Sequence, residues 1–189
     1  MSQAAAKNTQ SSKFSVREIC YTGLFAAVIA VMAQISIPMP LGVPMTMQTF
    51  AITLAAVVLG SKLSAMASLV YLILGAVGVP VLASFSGGID KFVGPTGGFL
   101  ISFPLMAYII GLGVEHRNAF QGAFPLAVVV GTVVNYIVGV ILFVIVAHST
   151  VAVAISACVL PFIPTAILKA VLACAIGLNI RKRIPGLKA

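Results

Sequence analysis

Acidic residues are almost missing from this sequence: Glu18, Asp90 and Glu115 are the only three, and the only histidines are His116 and His148. General acid–base catalysis needs such groups gathered in one site. Here Glu115 and His116 stand beside Arg117 in what reads as a solvated corner, and the others lie far apart in the chain. No catalytic constellation emerges. The three cysteines, Cys20, Cys158 and Cys174, sit in apolar stretches with no C-x-x-C or Cys/His ligand spacing. They read as small buried hydrophobes with no metal or redox role. No stretch matches Gly-x-x-x-x-Gly-Lys-Ser/Thr, whose backbone N–H groups cradle phosphates, so the chain does not hydrolyse ATP by itself. A proton-coupled carrier normally needs a carboxylate at membrane depth, and all three acids fall at or near the ends of apolar runs. That argues against self-powered transport.

Charge as a whole is scarce. Charged residues make up 7% and hydrophobic ones 61%, and the mean hydropathy is +1.19, whereas a soluble domain has about 25% and about 45–50%. A water-soluble fold is excluded. The net charge of +8 does not imply nucleic acid, because the basic residues sit at the ends of apolar runs, where they set topology and meet anionic headgroups of the lipid bilayer.

Apolar runs cover roughly residues 16–37, 47–60, 63–83, 96–114, 120–147 and 151–180, and at about 20 residues per span they predict six transmembrane helices. Residues 1–12 are polar and read as a flexible cytoplasmic tail rather than a cleaved leader. Residues 13–189 then form a single membrane domain. Lys7, Lys13, Arg17, Lys62, Arg117, Arg181, Lys182, Arg183 and Lys188 fall on one side of this arrangement and Lys91 alone on the other. The bias predicts that both termini are cytoplasmic.

Two connections on the outer side are unusual. One is Pro38-Met39-Pro40-Leu41-Gly42-Val43-Pro44, which cannot continue a helix and must lie at the surface or line a cavity. The other, residues 84–98, holds five glycines in fifteen residues and permits close approach of backbone to a ligand. Each could be a mere turn, but two on one face resemble a lid. Lys169 stands about halfway through a ~30 Å core, too deep to snorkel to either interface. It needs a partner or a wet cavity: a Lys169–Asp90 pair, a neutral lysine, or a counter-charge to an anionic ligand. Asn135 and Tyr136 in the fifth run, and Thr46, Gln48 and Thr49 at the outer end of the second, are further polar groups at membrane depth, each an interhelical hydrogen bond or a ligand contact. Together with Lys169 they describe a mostly apolar pocket with a few donors and acceptors. Ala26 and Ala30, beside Gly23 and Ala27, form a small-residue face on the first run that suits a closely packed helix, internal or external.

The segments Ile37–Thr49, Tyr71–Val81 and Gly94-Pro95-Thr96-Gly97-Gly98-Phe99-Leu100 closely resemble the BioY family, the biotin-binding S-components of prokaryotic energy-coupling-factor vitamin transporters. The likeness runs from about residue 17 to 180. It implies an all-α integral membrane protein, a bundle of six transmembrane helices with outward-facing binding loops, in a prokaryotic plasma membrane. It also implies biotin as the transported ligand, with no cofactor, and a complex with a transmembrane coupling protein and two cytoplasmic ATPases. A self-sufficient biotin carrier is the alternative. The candidate binding residues are Thr46, Gln48, Asp90, Phe92, Gly94, Thr96, Asn135, Tyr136, Thr165 and Lys169, and the resemblance makes Ala26 and Ala30 the docking motif. There are departures. The family's Pro-x-x-Pro-Gly-Asp-x-x-Lys pattern is met by Pro161, Pro164 and Lys169, but Thr165 and Ala166 replace the glycine and the binding-site aspartate.

Overall fold

The computed structural model describes residues 15–39, 42–117 and 122–184. The N-terminal segment 1–12, Lys7, Lys13, Lys188 and the Pro40-Leu41 part of the proline-rich connection lie outside the described residues. Helix α1 (Val16–Ala33) begins where the Glu18 carboxylate accepts the Ser15 backbone N–H at 2.8 Å, so one of the three acids is used to start a helix. The first run was expected to stay helical to residue 37. Instead β1 (Ser36–Ile37) pairs antiparallel with β2 (Met45–Thr46), Ser36 opposite Thr46 and Ile37 opposite Met45. The prolines between them cannot extend the helix, and the ladder gives the backbone its partners.

Helix α2 (Gln48–Leu59) turns through Gly60, at φ +84°, directly into α3 (Ser61–Ala76). The expected span to residue 83 stops early because Gly78, at φ +97°, and Pro80 end the helix. A 3₁₀ turn (Ala83–Phe85) and the four-residue α4 (Asp90–Val93) follow, then α5 (Gly97–Glu115) and α6 (Ala123–Val146). The sixth run is split: α7 (Val151–Cys158) and α8 (Ile163–Arg183) flank a 3₁₀ turn at Leu160–Phe162, where Pro161 and Pro164 remove ladder donors.

Among the described residues four helical stretches are long and apolar enough to cross a membrane: Val16–Ala33, Gly97–Glu115, Ala123–Val146 and the interrupted Val151–Arg183. Helices α2 and α3 are shorter. At 1.5 Å per residue α2 is only about 18 Å long, yet every residue of it except Thr49 is buried. A helix that is apolar all round belongs inside the bundle, where its length need not match the bilayer. Its Ile52 and Val57 join Ile29 of α1, Tyr71 of α3 and Met106 and Ile110 of α5 in the core. On α6, Val129, Val133 and Ile137 point outward, as do Ile167 and Val171 on α8. Among the cysteines only Cys158 is fully buried, and Cys20 is exposed on the outer face of α1.

The α2–α3 corner is held from two sides. Glu115 is not a freely solvated residue: its carboxylate accepts the Ser61 backbone N–H at 2.7 Å and the Ser61 hydroxyl at 2.9 and 3.0 Å. It thereby satisfies orphan donors at the start of α3. The guanidinium of buried Arg181 donates to the carbonyls of Val57 and Val58, at 3.2 and 3.0 Å, at the end of α2. Glu115→Ala is expected to cost about 0.5–2 kcal/mol, the range for losing a helix cap. Thermal unfolding in detergent reads the loss.

Candidate functional site

Arg17, Lys62, Arg117 and Arg181 lie toward one end of the bundle. At the opposite end a cavity of about 280 Å³ opens, near the lower limit for small-molecule pockets. Its walls come from the β1–β2 connection (Gly42, Val43, Pro44), the start of α2, the turn at 82–86, and the starts of α5 and α8. Phe99, Phe103 and Phe162 are among its apolar lining residues.

The polar groups are few and ordered. Lys169 lines the cavity, and its ammonium donates to the backbone carbonyl of Thr46 at 2.6 Å. Among the described residues no carboxylate lies within ion-pair distance of it, and Asp90 pairs instead with Lys91 at 3.3 Å. An ammonium has three donors, so two remain for a ligand. Thr46 donates its hydroxyl to Gln48 Oε1 at 2.8 Å, and Gln48 Nε2 donates to Tyr71 Oη. Asn135, 2% exposed, donates from Nδ2 to the Phe99 carbonyl at 3.1 Å and to Ser102 Oγ at 2.7 Å. With both amide hydrogens used, Oδ1 is left as the acceptor.

The outer rim is latched by Gln34. Its Nε2 donates to Ala30 O and Val81 O, at 2.8 and 3.1 Å, and its Oε1 accepts the Phe85 N–H at 2.7 Å. Ser36 and Ser84 share a hydroxyl hydrogen bond of 2.8 Å. These contacts hold Ser84 and Phe85 in the left-handed region, at φ 57° and 54°, a conformation that non-glycine residues adopt only when their surroundings impose it.

A model of the BioY family matches residues 6–186. The chain belongs to the BioY family. A relative named biotin transporter BioY, from Thermotoga maritima, is 41% identical over 168 residues, which is 88% of this chain and 97% of that one. Another of the same name, from Rhizobium etli, is 34% identical over 186 residues, 93% and 98% of the two chains. A crystal structure of the S-component for biotin from an ECF-type ABC transporter superposes with a TM-score of 0.80 at 27% identity, covering 88% of this chain and 92% of that one. The family is one of transporters, and this BioY chain is a membrane transport protein rather than an enzyme.

Of the ten residues singled out from the sequence, this BioY structure brings five together on the cavity: Thr46, Gln48, Thr96, Asn135 and Lys169. The other five stand elsewhere. Asp90 does not meet Lys169; its side chain is 68% exposed and pairs with Lys91 on the outside of α4. Phe92 packs against the core, and Gly94 closes α4 by donating its N–H to Asp90 O at 2.9 Å. Tyr136 sits edge-on to Phe99 with ring centroids 6.5 Å apart. Thr165 turns its hydroxyl back onto the Phe162 carbonyl at 2.9 Å.

Several lining residues escaped the sequence reading. Phe99 and Phe103 were legible as an i, i+4 aromatic pair on one face of α5. Lys91, the only basic residue assigned to the outer side, also lines the cavity. Ser84 carries no sequence signal, because only its neighbours force its backbone.

The small-residue face of α1 also divides. Ala26 is 3% exposed and packs in the core, against which half-buried Ala30 also packs. The side left open carries Gly23, with no atom within 4 Å of where its Cβ would stand, and exposed Ala27. Ala26 therefore makes an internal contact in this structure, and the more open positions of the face are Gly23 and Ala27.

Proposed function

We propose that this chain captures biotin from outside the cell as the substrate-binding membrane subunit of an ATP-driven energy-coupling-factor importer, with a transmembrane coupling protein and two cytoplasmic ATPases as partners. The observation that carries the ligand reading is Lys169, an ammonium on a mostly apolar cavity with no carboxylate beside it among the described residues. Such a charge is stable there when an anion completes it. Biotin has one carboxylate for this cation, an apolar chain and thioether ring for the Phe99, Phe103 and Phe162 walls, and a ureido group for Gln48, Thr46 and Asn135. The biotin relatives and the biotin S-component support the same ligand.

In this reading the bundle counts six spans, with α2 and α3 as the two short ones and α7–α8 as a broken sixth. Both termini are cytoplasmic in a prokaryotic plasma membrane, because the basic residues gather at the end away from the cavity. Closure over the ligand falls to the β1–β2 connection and the Gly-rich segment. Coupling-protein docking is assigned to the Gly23/Ala27 side of α1, with Ala30 at its edge.

Reconstitution separates the importer subunit from a self-sufficient carrier. Proteoliposomes holding the chain alone are expected to bind biotin without accumulating it, and to accumulate it when the coupling protein, ATPases and ATP are added. Accumulation by the chain alone would favour the carrier.

A further inference from the structure

A side-chain amide inside a membrane bundle brings two donors and an acceptor that all need partners. Asn135 lies on the inward face of α6 with Gly131, Gly139 and Phe143, while Val133 and Ile137 face outward, and it lines the cavity. Its amide has one sense only. The Phe99 carbonyl can only accept, so the atom 3.1 Å from it is Nδ2, and turning the amide over would set Oδ1 against a carbonyl oxygen. Ser102, 3% exposed, donates its hydroxyl to the same carbonyl at 2.9 Å, which leaves its oxygen to accept from Nδ2 at 2.7 Å. Both Nδ2 hydrogens are thereby used inside the protein. Oδ1 has no hydrogen-bond partner among the described residues. It is not sealed in either, because among the described residues the one buried side-chain oxygen or nitrogen that lacks a partner is Ser149 Oγ. The space onto which Oδ1 opens is the cavity that Asn135 lines.

We propose that Asn135 Oδ1 is the acceptor that selects a ligand presenting an N–H donor to the α6 wall of the cavity, and that it rejects a ligand whose nitrogen at that place is alkylated. The inference deepens the biotin reading and rests on it: the donor is one of the two ureido N–H groups. Thr46 and Gln48 each carry groups that can donate or accept and so adapt to either kind of ligand atom, and Lys169 only donates. Asn135 is committed as an acceptor by a backbone carbonyl that has no other role to offer. A ligand without the N–H leaves Oδ1 facing it unpaired, and a polar group left unpaired discriminates more strongly than an apolar wall does.

The probes are biotin and its two mono-N-methyl derivatives, in which a methyl group replaces one or the other ureido hydrogen. All three are titrated into the full-length protein, Asn135→Ala and Asn135→Thr. The threonine variant serves if the alanine fails to fold: its hydroxyl can donate to the carbonyl one turn back, as that of Thr132 does to Val128 at 2.8 Å, and its oxygen ends one bond short of Oδ1. The wild type is expected to bind one N-methyl isomer at least about ten-fold more weakly than the other, the scale of one oriented hydrogen bond. In the variants the two isomers should come within about three-fold of each other, since the acceptor that told them apart is gone. Isomers that bind the wild type alike overturn the proposal. So does an isomer preference that survives in the variants, with biotin and both isomers weakened equally, the sign of a merely structural role. Those results leave wild-type biotin binding, and with it the biotin reading, in place. A folded wild type that fails to bind biotin overturns both, and that result is seen before any variant is made.

Discussion

Lys169→Met is expected to weaken biotin binding by about 2–4 kcal/mol, the cost of stranding a desolvated charge, or roughly 30- to 1,000-fold in Kd. The substitution keeps the volume of the stem and removes the ammonium. If Lys169 meets the carboxylate, biotin amide, which lacks that charge, should distinguish little between wild type and variant. Equal losses for biotin and its amide would move Lys169 to the ureido end. Lys91, the second cation on the cavity, would then be the carboxylate's partner, and Lys91→Met should show the carboxylate-specific loss instead. Asp90→Asn is expected to change neither binding nor thermal stability appreciably, because Asp90 is exposed and its partner is Lys91. A shared defect in Asp90→Asn and Lys169→Met would restore the Lys169–Asp90 pair that the structure does not form.

Adjacent alanines on α1 should behave as opposites. Ala27→Trp, on the open side, is expected to abolish copurification of the coupling protein while biotin affinity stays within about two-fold of wild type, since the substitution lies on an outer face remote from the cavity. Ala26→Trp forces a large side chain into a packed core and is expected to cost at least about 1–3 kcal/mol of stability, seen as a lower melting temperature with or without the partner. If Ala26→Trp instead folds normally and loses only the partner, the docking surface lies on the Ala26/Ala30 side.

The membrane class was legible because it depends on composition. The helix breaks at Pro161 and Pro164 were legible too, since a missing N–H is a local property. The buried course of α2 was not read out. Its run of apolar residues looks like a short span, and only its neighbours show that it lies inside the bundle. The same division runs through the site. Lys169, Gln48, Thr46 and Asn135 stood out because a polar group at membrane depth is conspicuous. Asp90 misled because charge suggested a partner for Lys169, whereas the nearest cation in the chain, Lys91, had already taken it. Tyr71, an ordinary aromatic on an apolar helix, acquires meaning only from its contact with Gln48.

Titration calorimetry of the purified, detergent-solubilised chain with biotin tests the central reading most directly. A saturable isotherm with one biotin per chain, in the absence of any coupling protein or ATPase and strongly weakened in Lys169→Met, is the predicted result. No binding by a folded wild-type protein, or an affinity indifferent to the charge at Lys169, would contradict it.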